Sequence, residues 1–228
     1  MIEILHQLEQ IDTELLLSVN GLHCELLDYF MTMVSNRFTW IPFYAALLFV
    51  LAKNFDWKTS LTTLLAVALV VLLCDQTSSG LLKPMVGRLR PSNLDNPISP
   101  MVHVVNDYRG GRYGFPSSHS ANSWGLAFFA MYLVRNKKLS LFLAVWAAMQ
   151  CYSRMYLGVH YPGDILVGLI IGALMASLAY WGLKHFPKDY IQAWREHSGG
   201  WKYGFLPITI GTASFVVMLA ISGIISML

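Results

Sequence analysis

The sequence predicts an all-α polytopic membrane protein: six transmembrane helices in one bundle, an N-terminal interfacial helix and a long extracytoplasmic loop. Three observations carry this. The chain of 228 residues is 55% apolar with mean hydropathy +0.49. Only 13% of its residues are charged, where a soluble domain carries about a quarter. Its apolar residues also gather into six runs of roughly bilayer-spanning length, at 38–53, 59–82, 118–134, 139–157, 162–183 and 205–227.

Residues 1–37 form an amphipathic or interfacial segment ahead of a six-span domain, 38–228. Ile4, Leu8, Ile11, Leu15 and Val19 recur at helical spacing, with Glu3, Gln7, Gln10 and Glu14 mostly on the other side. That is the signature of a helix lying in the membrane interface. A second short apolar segment, 24–34, leads into span one. No cationic region precedes an early apolar stretch, so a cleaved signal peptide is not expected.

Span two contains Asp75, expected to pair with a nearby arginine, since an acid inside a span is costly alone. Residues 84–117 follow as a long polar connection holding five of the nine prolines, and loops of that length are usually functional. Span three opens at Phe115-Pro116-Ser117-Ser118-His119, and span four ends in Ser153-Arg154. Span five carries Gly168 and Gly172 at the spacing that lets helices approach closely. The linker from Lys184 to Gly204 precedes a charge-free final span.

Orientation follows from charge. The loops 53–58, 135–138 and 184–204 carry Lys53, Lys58, Arg135, Lys137, Lys138, Lys184, Lys188, Arg195 and Lys202 against Asp56, Asp189 and Glu196. The positive-inside rule places them in the cytoplasm of a bacterial inner membrane, so that 83–119 and 154–164 face the periplasm. Cys24, Cys74 and Cys151 form no CxxC and read as small core residues, with no disulfide frame. No metal site and no cofactor is expected. No basic run with interleaved aromatics suggests nucleic acid, and nothing specifies an oligomeric state.

Three polar clusters fall on the outward face. Lys83 and Arg90 stand seven apart around a proline-stiffened turn. Ser117, Ser118 and His119 offer a hydroxyl, helix N-terminal amides and an imidazole. Arg154, His160 and Asp164 close the set, with His160 and Asp164 four apart on one helical face. Singly, these are membrane-edge cations, an N-cap and interfacial histidines, as His6, His23, His103, His185 and His197 are read here. Together they supply phosphoryl transfer. Lys83, Arg90, Ser117, Ser118 and Arg154 cradle the phosphate, while His160, oriented by Asp164, attacks phosphorus. His119 protonates the leaving oxygen and then activates water. A neutral His160 beside a protonated His119 predicts a bell-shaped pH profile.

The chain resembles the type 2 phosphatidic acid phosphatase family, integral-membrane lipid phosphatases similar to acid phosphatases and vanadium haloperoxidases. Lys83-x6-Arg90-Pro91, Pro116-Ser117-Ser118-His119 and Ser153-Arg154-x5-His160-x3-Asp164 match its three motifs in order, over roughly 38–185. The resemblance implies His160 as nucleophile, His119 as acid/base, Asp164 as orienting carboxylate, phosphate bound by Lys83, Arg90, Ser117 and Arg154, and no metal. Ser118 stands where the family has Gly.

A lipid phosphate in the outer leaflet is the expected substrate. Arg88, Arg109 and Arg112 are extra cations that a diphosphate would use, which favours undecaprenyl diphosphate. Phosphatidylglycerol phosphate, phosphatidic acid and lipid A phosphates are the alternatives, and a non-catalytic lipid-binding or transport protein on the same scaffold is the competing class.

Overall fold

The computed structural model describes residues 2–185, 188–196 and 200–228. The described residues are helical, joined by turns and one irregular connection. In chain order the helices are α1 (Ile2–Asn20), α2 (Glu25–Ser35), α3 (Ile41–Asn54), α4 (Trp57–Asp75), α5 (Lys83–Val86), α6 (Ser118–Val134), α7 (Lys137–Tyr156), α8 (Pro162–His185), α9 (Lys188–Glu196) and α10 (Leu206–Ile225). Seven π-helical residues, Gln76–Leu82, join α4 to α5 without a break.

Caps explain several of the starts. Asp56 accepts a bond of 2.6 Å from the Thr59 amide ahead of α4, and the Asn136 side chain accepts from Lys138 and Leu139 ahead of α7. The α2–α3 junction turns by 69°, through a short 3₁₀ turn at Arg37–Trp40. A bend strips backbone carbonyls of their helical donors, and inside a membrane they need others. Val34 O receives two, Gln150 Nε2 at 2.8 Å and Trp40 Nε1 at 2.9 Å.

Each expected apolar run coincides with a helix, but length and hydropathy mark fewer spans than six. The continuous helix Trp57–Val86, α8 and α10 qualify, and the bent α2–α3 pair makes a fourth if it counts as one span. α6 has only 17 residues, and its first turns are polar with Ser118, His119, Ser120, Asn122 and Ser123. α7 carries Lys137 and Lys138 at one end and Gln150, Ser153 and Arg154 at the other. Three of the polar residues that dilute these two helices, Ser118, His119 and Arg154, recur in the site described below.

α6 and α8 form the tightest pair. A Cβ at Gly168 would stand 2.5 Å from Ser117 O, and one at Gly172 would stand 2.6 Å from Ala121 O. Only glycine permits that approach, so the Gly168/Gly172 pair sets the crossing that brings the start of α6 against the start of α8. Around the pair lie two apolar clusters. One joins α2, α3, α7 and α10 through Trp40, Phe43, Trp146 and Phe215; the other joins α4, α6, α8 and α9 through Val70, Phe129, Ala176 and Trp194. Phe30, Met31 and Val34 of α2 belong to the first, so α2 packs as part of the bundle.

α1 turns its apolar stripe away from the protein. Its apolar stripe, Ile4, Leu8, Ile11 and Leu15, stays more than half exposed, as an interfacial helix requires. The face that meets the protein is Asp12, Leu16 and Asn20.

Candidate active site

The connection from Gly87 to Ser117 is pinned to itself by a short antiparallel bridge, Leu89 against Tyr113. Arg90 N donates to Arg112 O (3.1 Å) and Gly114 N to Arg88 O (2.8 Å). Residues two apart on an extended strand share a face. Arg88 and Arg90 therefore point the same way, towards opposite ends of one histidine–aspartate pair.

That pair is His160 and Asp164. His160 sits in the connection between α7 and α8, Asp164 in the first turn of α8, and both are fully buried. Nδ1 of His160 lies 3.1 Å from Asp164 Oδ2, and its Nε2 lies 3.0 Å from Arg90 Nη1. A carboxylate only accepts and a guanidinium only donates. The network thus assigns the proton to Nδ1 and leaves a lone pair on Nε2. Burial first, then the charges of Arg90, Arg154 and Lys83, hold the His160 pKa well below the ordinary histidine value. The neutral imidazole is what a nitrogen nucleophile needs.

The carboxylate end is saturated. Asp164 Oδ2 also accepts from the Tyr161 amide at 3.1 Å, and Oδ1 accepts from Arg88 Nη1 at 3.0 Å. Arg88 in turn pairs with Asp12 at 2.7 Å and stacks 3.8 Å over the Tyr161 ring.

At the Nε2 end the bonding is incomplete. Arg90 Nη1 also donates to Val159 O at 3.0 Å, but its Nε is buried without a partner. Arg154 donates to Ser35 Oγ and, at 3.3 Å, to Tyr108 Oη, and its Nε is likewise buried and unpaired. Burial first, then the adjacent Arg154 charge, pushes the Arg90 pKa down to about 10. Buried cations that repel one another and hold unused donors are the electrostatics of an anion site.

Lys83 donates to Ser118 Oγ at 3.1 Å and to Ser79 Oγ at 3.4 Å. Asp75 meets no arginine as the sequence suggested; it accepts from Ser79 Oγ at 3.3 Å, completing an Asp75–Ser79–Lys83 ladder on one helical face. Ser117 is fully buried at the N-cap of α6, and its amide donates to Asp164 O at 2.9 Å, tying the two helix starts together. His119 follows in the first turn, within electrostatic range of His160, Arg154, Arg90 and Lys83.

Ser118 and His119 also open onto a cavity of about 600 Å³ between α3, α4, α6 and α7. It follows α6 past Asn122 and Ser123 and then Leu126 and Phe129 to Leu133, near Trp194, so the α6 wall is apolar for about 10 Å beyond its polar mouth at the helical rise per residue. The polar cluster sits at one end of an apolar trough.

The three extra arginines do not converge on the Nε2 end of this site, where a phosphate would lie. Arg88 is engaged by Asp12 and Asp164. Arg109 Nη1 donates to Ser92 O at 2.8 Å, clasping the connection. Arg112 is exposed, 3.6 Å from Asp95 and over the Tyr113 ring. Sequence reasoning missed Ser35, Tyr108 and Asp12, none of which carries a local motif. Of the remaining histidines, His23 stacks on His103, which pairs with Asp28 at 2.9 Å; His197 lies outside the described residues.

Comparison with known proteins places the chain in a family. Residues 57–188 match the model of the PAP2 superfamily. The chain is 49% identical over 173 residues to a lipid A 4′-phosphatase of Bacteroides thetaiotaomicron, covering 76% of this chain and 77% of that one. It is 38% identical to a lipid A 4′-phosphatase of Porphyromonas gingivalis, covering 75% and 72%. In fold it is similar to the transmembrane PAP2-type phosphatidylglycerolphosphate phosphatase of Bacillus subtilis, with TM-score 0.58 and 24% identity over 80% of this chain and 89% of that one.

Proposed function

The chain belongs to the PAP2 superfamily and is a membrane lipid phosphatase, and from that premise we propose that it removes a phosphate from a lipid A-type glycolipid through a phosphohistidine on His160. The observation that carries the reading is the half-satisfied end of the His160–Asp164 pair, where buried donors surround a lone pair. A phosphate there meets Arg90, Arg154 and Lys83 together, and such fixed charges stabilise the transferring phosphoryl group.

Arg90 Nη1 exchanges its bond to Nε2 for one to a phosphate oxygen, and the freed Nε2 lone pair of His160 attacks phosphorus in line; the N–P bond forms and the bond to the lipid oxygen breaks. His119 gives its proton to that oxygen. Asp164, held by Arg88 and the Tyr161 amide, keeps the Nδ1 proton in place and stabilises the imidazolium character that develops. Water, deprotonated by His119, then attacks phosphorus, the N–P bond breaks, its electron pair returns to Nε2, and inorganic phosphate leaves.

The substrate moves from the diphosphate favoured by the sequence to a lipid A phosphate. The diphosphate reading leaned on Arg88, Arg109 and Arg112, two of which are engaged within the fold while the third lies exposed at the rim. Two relatives named lipid A 4′-phosphatase, each covered over more than 70% of its length, supply the alternative. The apolar trough beside His119 suits an acyl chain lying along α6. In this reading the six helices cross a bacterial inner membrane with the site facing the periplasm, since the basic loops collect on the opposite side.

The test is phosphate release by purified protein in detergent with EDTA present, from lipid A and undecaprenyl diphosphate side by side. Lipid A is expected to turn over faster, with release at the 4′-position visible by mass spectrometry. His160→Ala is expected to abolish release in folded protein. Faster turnover of undecaprenyl diphosphate would overturn the substrate, and turnover by His160→Ala would overturn the nucleophile.

A further inference from the structure

The orienting carboxylate is itself gripped from outside the family-matched segment. Asp12 belongs to α1, far upstream of residue 57, where the family match begins. Its two oxygens do separate things. Oδ2 pairs with Arg88 Nη2 at 2.7 Å, and Oδ1 accepts from the Gly163 amide at 2.6 Å. Arg88 holds Asp164 Oδ1, and Gly163 is the residue before Asp164. One carboxylate thus secures the catalytic one through its side chain and through its backbone.

α1 is built to deliver this contact. Asp12, Leu16 and Asn20 are four apart and share the face that meets the protein. Leu16 is fully buried, and the Asn20 amide donates to Tyr156 O at 2.7 Å and to His103 O at 2.9 Å, while its oxygen accepts from His103 N at 2.8 Å. The end of α1 nearest Asp12 is therefore seated firmly, and α1 does not depend on its apolar stripe to stay there. Arg88, bridging two carboxylates and stacked on Tyr161, has one orientation; without Asp12 it keeps Asp164 and the ring but nothing pulls on its other nitrogen.

We infer that Asp12 is a positioning residue for the nucleophile: through Arg88 and the Gly163 amide it fixes Asp164, and with it the ring of His160. The inference rests on the role proposed for His160 above. A misplacement of about 1 Å at a reacting group can cost about a hundredfold in rate, so a lost anchor one residue removed should cost on the order of tenfold.

The experiment compares wild type with Asp12→Asn, Asp12→Glu, Arg88→Ala and the double variant Asp12→Asn/Arg88→Ala, each in detergent, with thermal unfolding measured alongside. Asn keeps an oxygen for the Gly163 amide but loses the charge that holds Arg88. Asp12→Asn is expected to lower kcat about tenfold with KM nearly unchanged, with Asp12→Glu recovering part of the loss. In the Arg88→Ala background the same substitution is expected to add little, because its route to Asp164 is already cut. Unchanged kcat in Asp12→Asn, or a loss that only tracks the folded fraction, overturns the inference, as does a full multiplicative loss in the double variant. Should Asp12→Asn not fold, Asp12→Glu decides: reduced kcat at unchanged KM supports the role, and wild-type kcat overturns it. A wild type that releases no phosphate from any lipid would instead overturn the function on which the inference rests.

Discussion

The two ends of the His160–Asp164 pair are fed by arginines two residues apart on one strand, yet they differ in kind. At the carboxylate end Arg88 is balanced by two carboxylates and a ring, and each Asp164 oxygen has its donors. At the Nε2 end Arg90 and Arg154 are buried beside one another with Nε donors unused. Satisfied polar groups in a protein interior hold a shape, whereas unsatisfied ones cost stability and persist where a ligand completes them. On the function proposed above, the open end takes the substrate and the closed end holds the histidine in register.

The largest effect should come from breaking the open end. Arg90→Ala is expected to lower kcat/KM by about two to three orders of magnitude, the scale of losing one preorganised charge at a developing oxyanion. Its thermal stability should fall little, since the substitution also relieves repulsion from Arg154. Arg109→Ala should show the reverse. It cuts the clasp to Ser92 O at 2.8 Å, so the melting temperature should drop while kcat/KM of the folded protein stays within a few-fold. Phosphate release and thermal unfolding of the two variants, measured together, check the contrast. Equal activity losses would erase it.

A second, smaller effect lies in pH. The nucleophile we propose is the neutral form of His160, which is lost as pH falls through its pKa. Burial first, and then Arg90, Arg154 and Lys83, hold that pKa well below the ordinary value. The acid limb of kcat/KM should therefore lie below the usual histidine range, with activity retained in mildly acidic buffer. The residual activity of Arg90→Ala, which lacks the largest of the three charge contributions, should show its acid limb moved to higher pH. A limb at the same pH in both would mean that His160 does not report on the open end.

Much of this division was legible in the sequence, and the reason is local spacing. His160 and Asp164 are one helical turn apart, Ser117 precedes the helix it caps, and Gly168 and Gly172 advertise the close crossing. The same logic erred for the extra arginines. Arg88 and Arg90 look alike in Gly87-Arg88-Leu89-Arg90-Pro91, and only the third dimension shows one meeting Asp12 and the other His160. Asp12, Ser35 and Tyr108 were invisible for the same reason, since each acts across a long stretch of chain with no motif around it. The span count was blurred because α6 and α7 carry site residues where apolar ones would mark a membrane crossing.

The smallest effect concerns Ser118, where the family pattern has Gly. Its hydroxyl accepts from Lys83 at 3.1 Å, so it belongs by geometry to the framework that aims a cation, although it lies at the mouth of the trough. Ser118→Gly removes that acceptor but leaves Ser79 Oγ, 3.4 Å from the same ammonium. The exchange also costs a few tenths of a kcal/mol in helix propensity at the start of α6. With one acceptor kept and the charge untouched, KM should rise about two- to threefold, less than 1 kcal/mol, and kcat should hold within a factor of about two. A steady-state comparison with wild type on the same lipid decides it. A fall in kcat beyond tenfold would mean that the hydroxyl touches the phosphate itself, and the line between the two ends would then have to be redrawn to place Ser118 with Arg90 and Arg154.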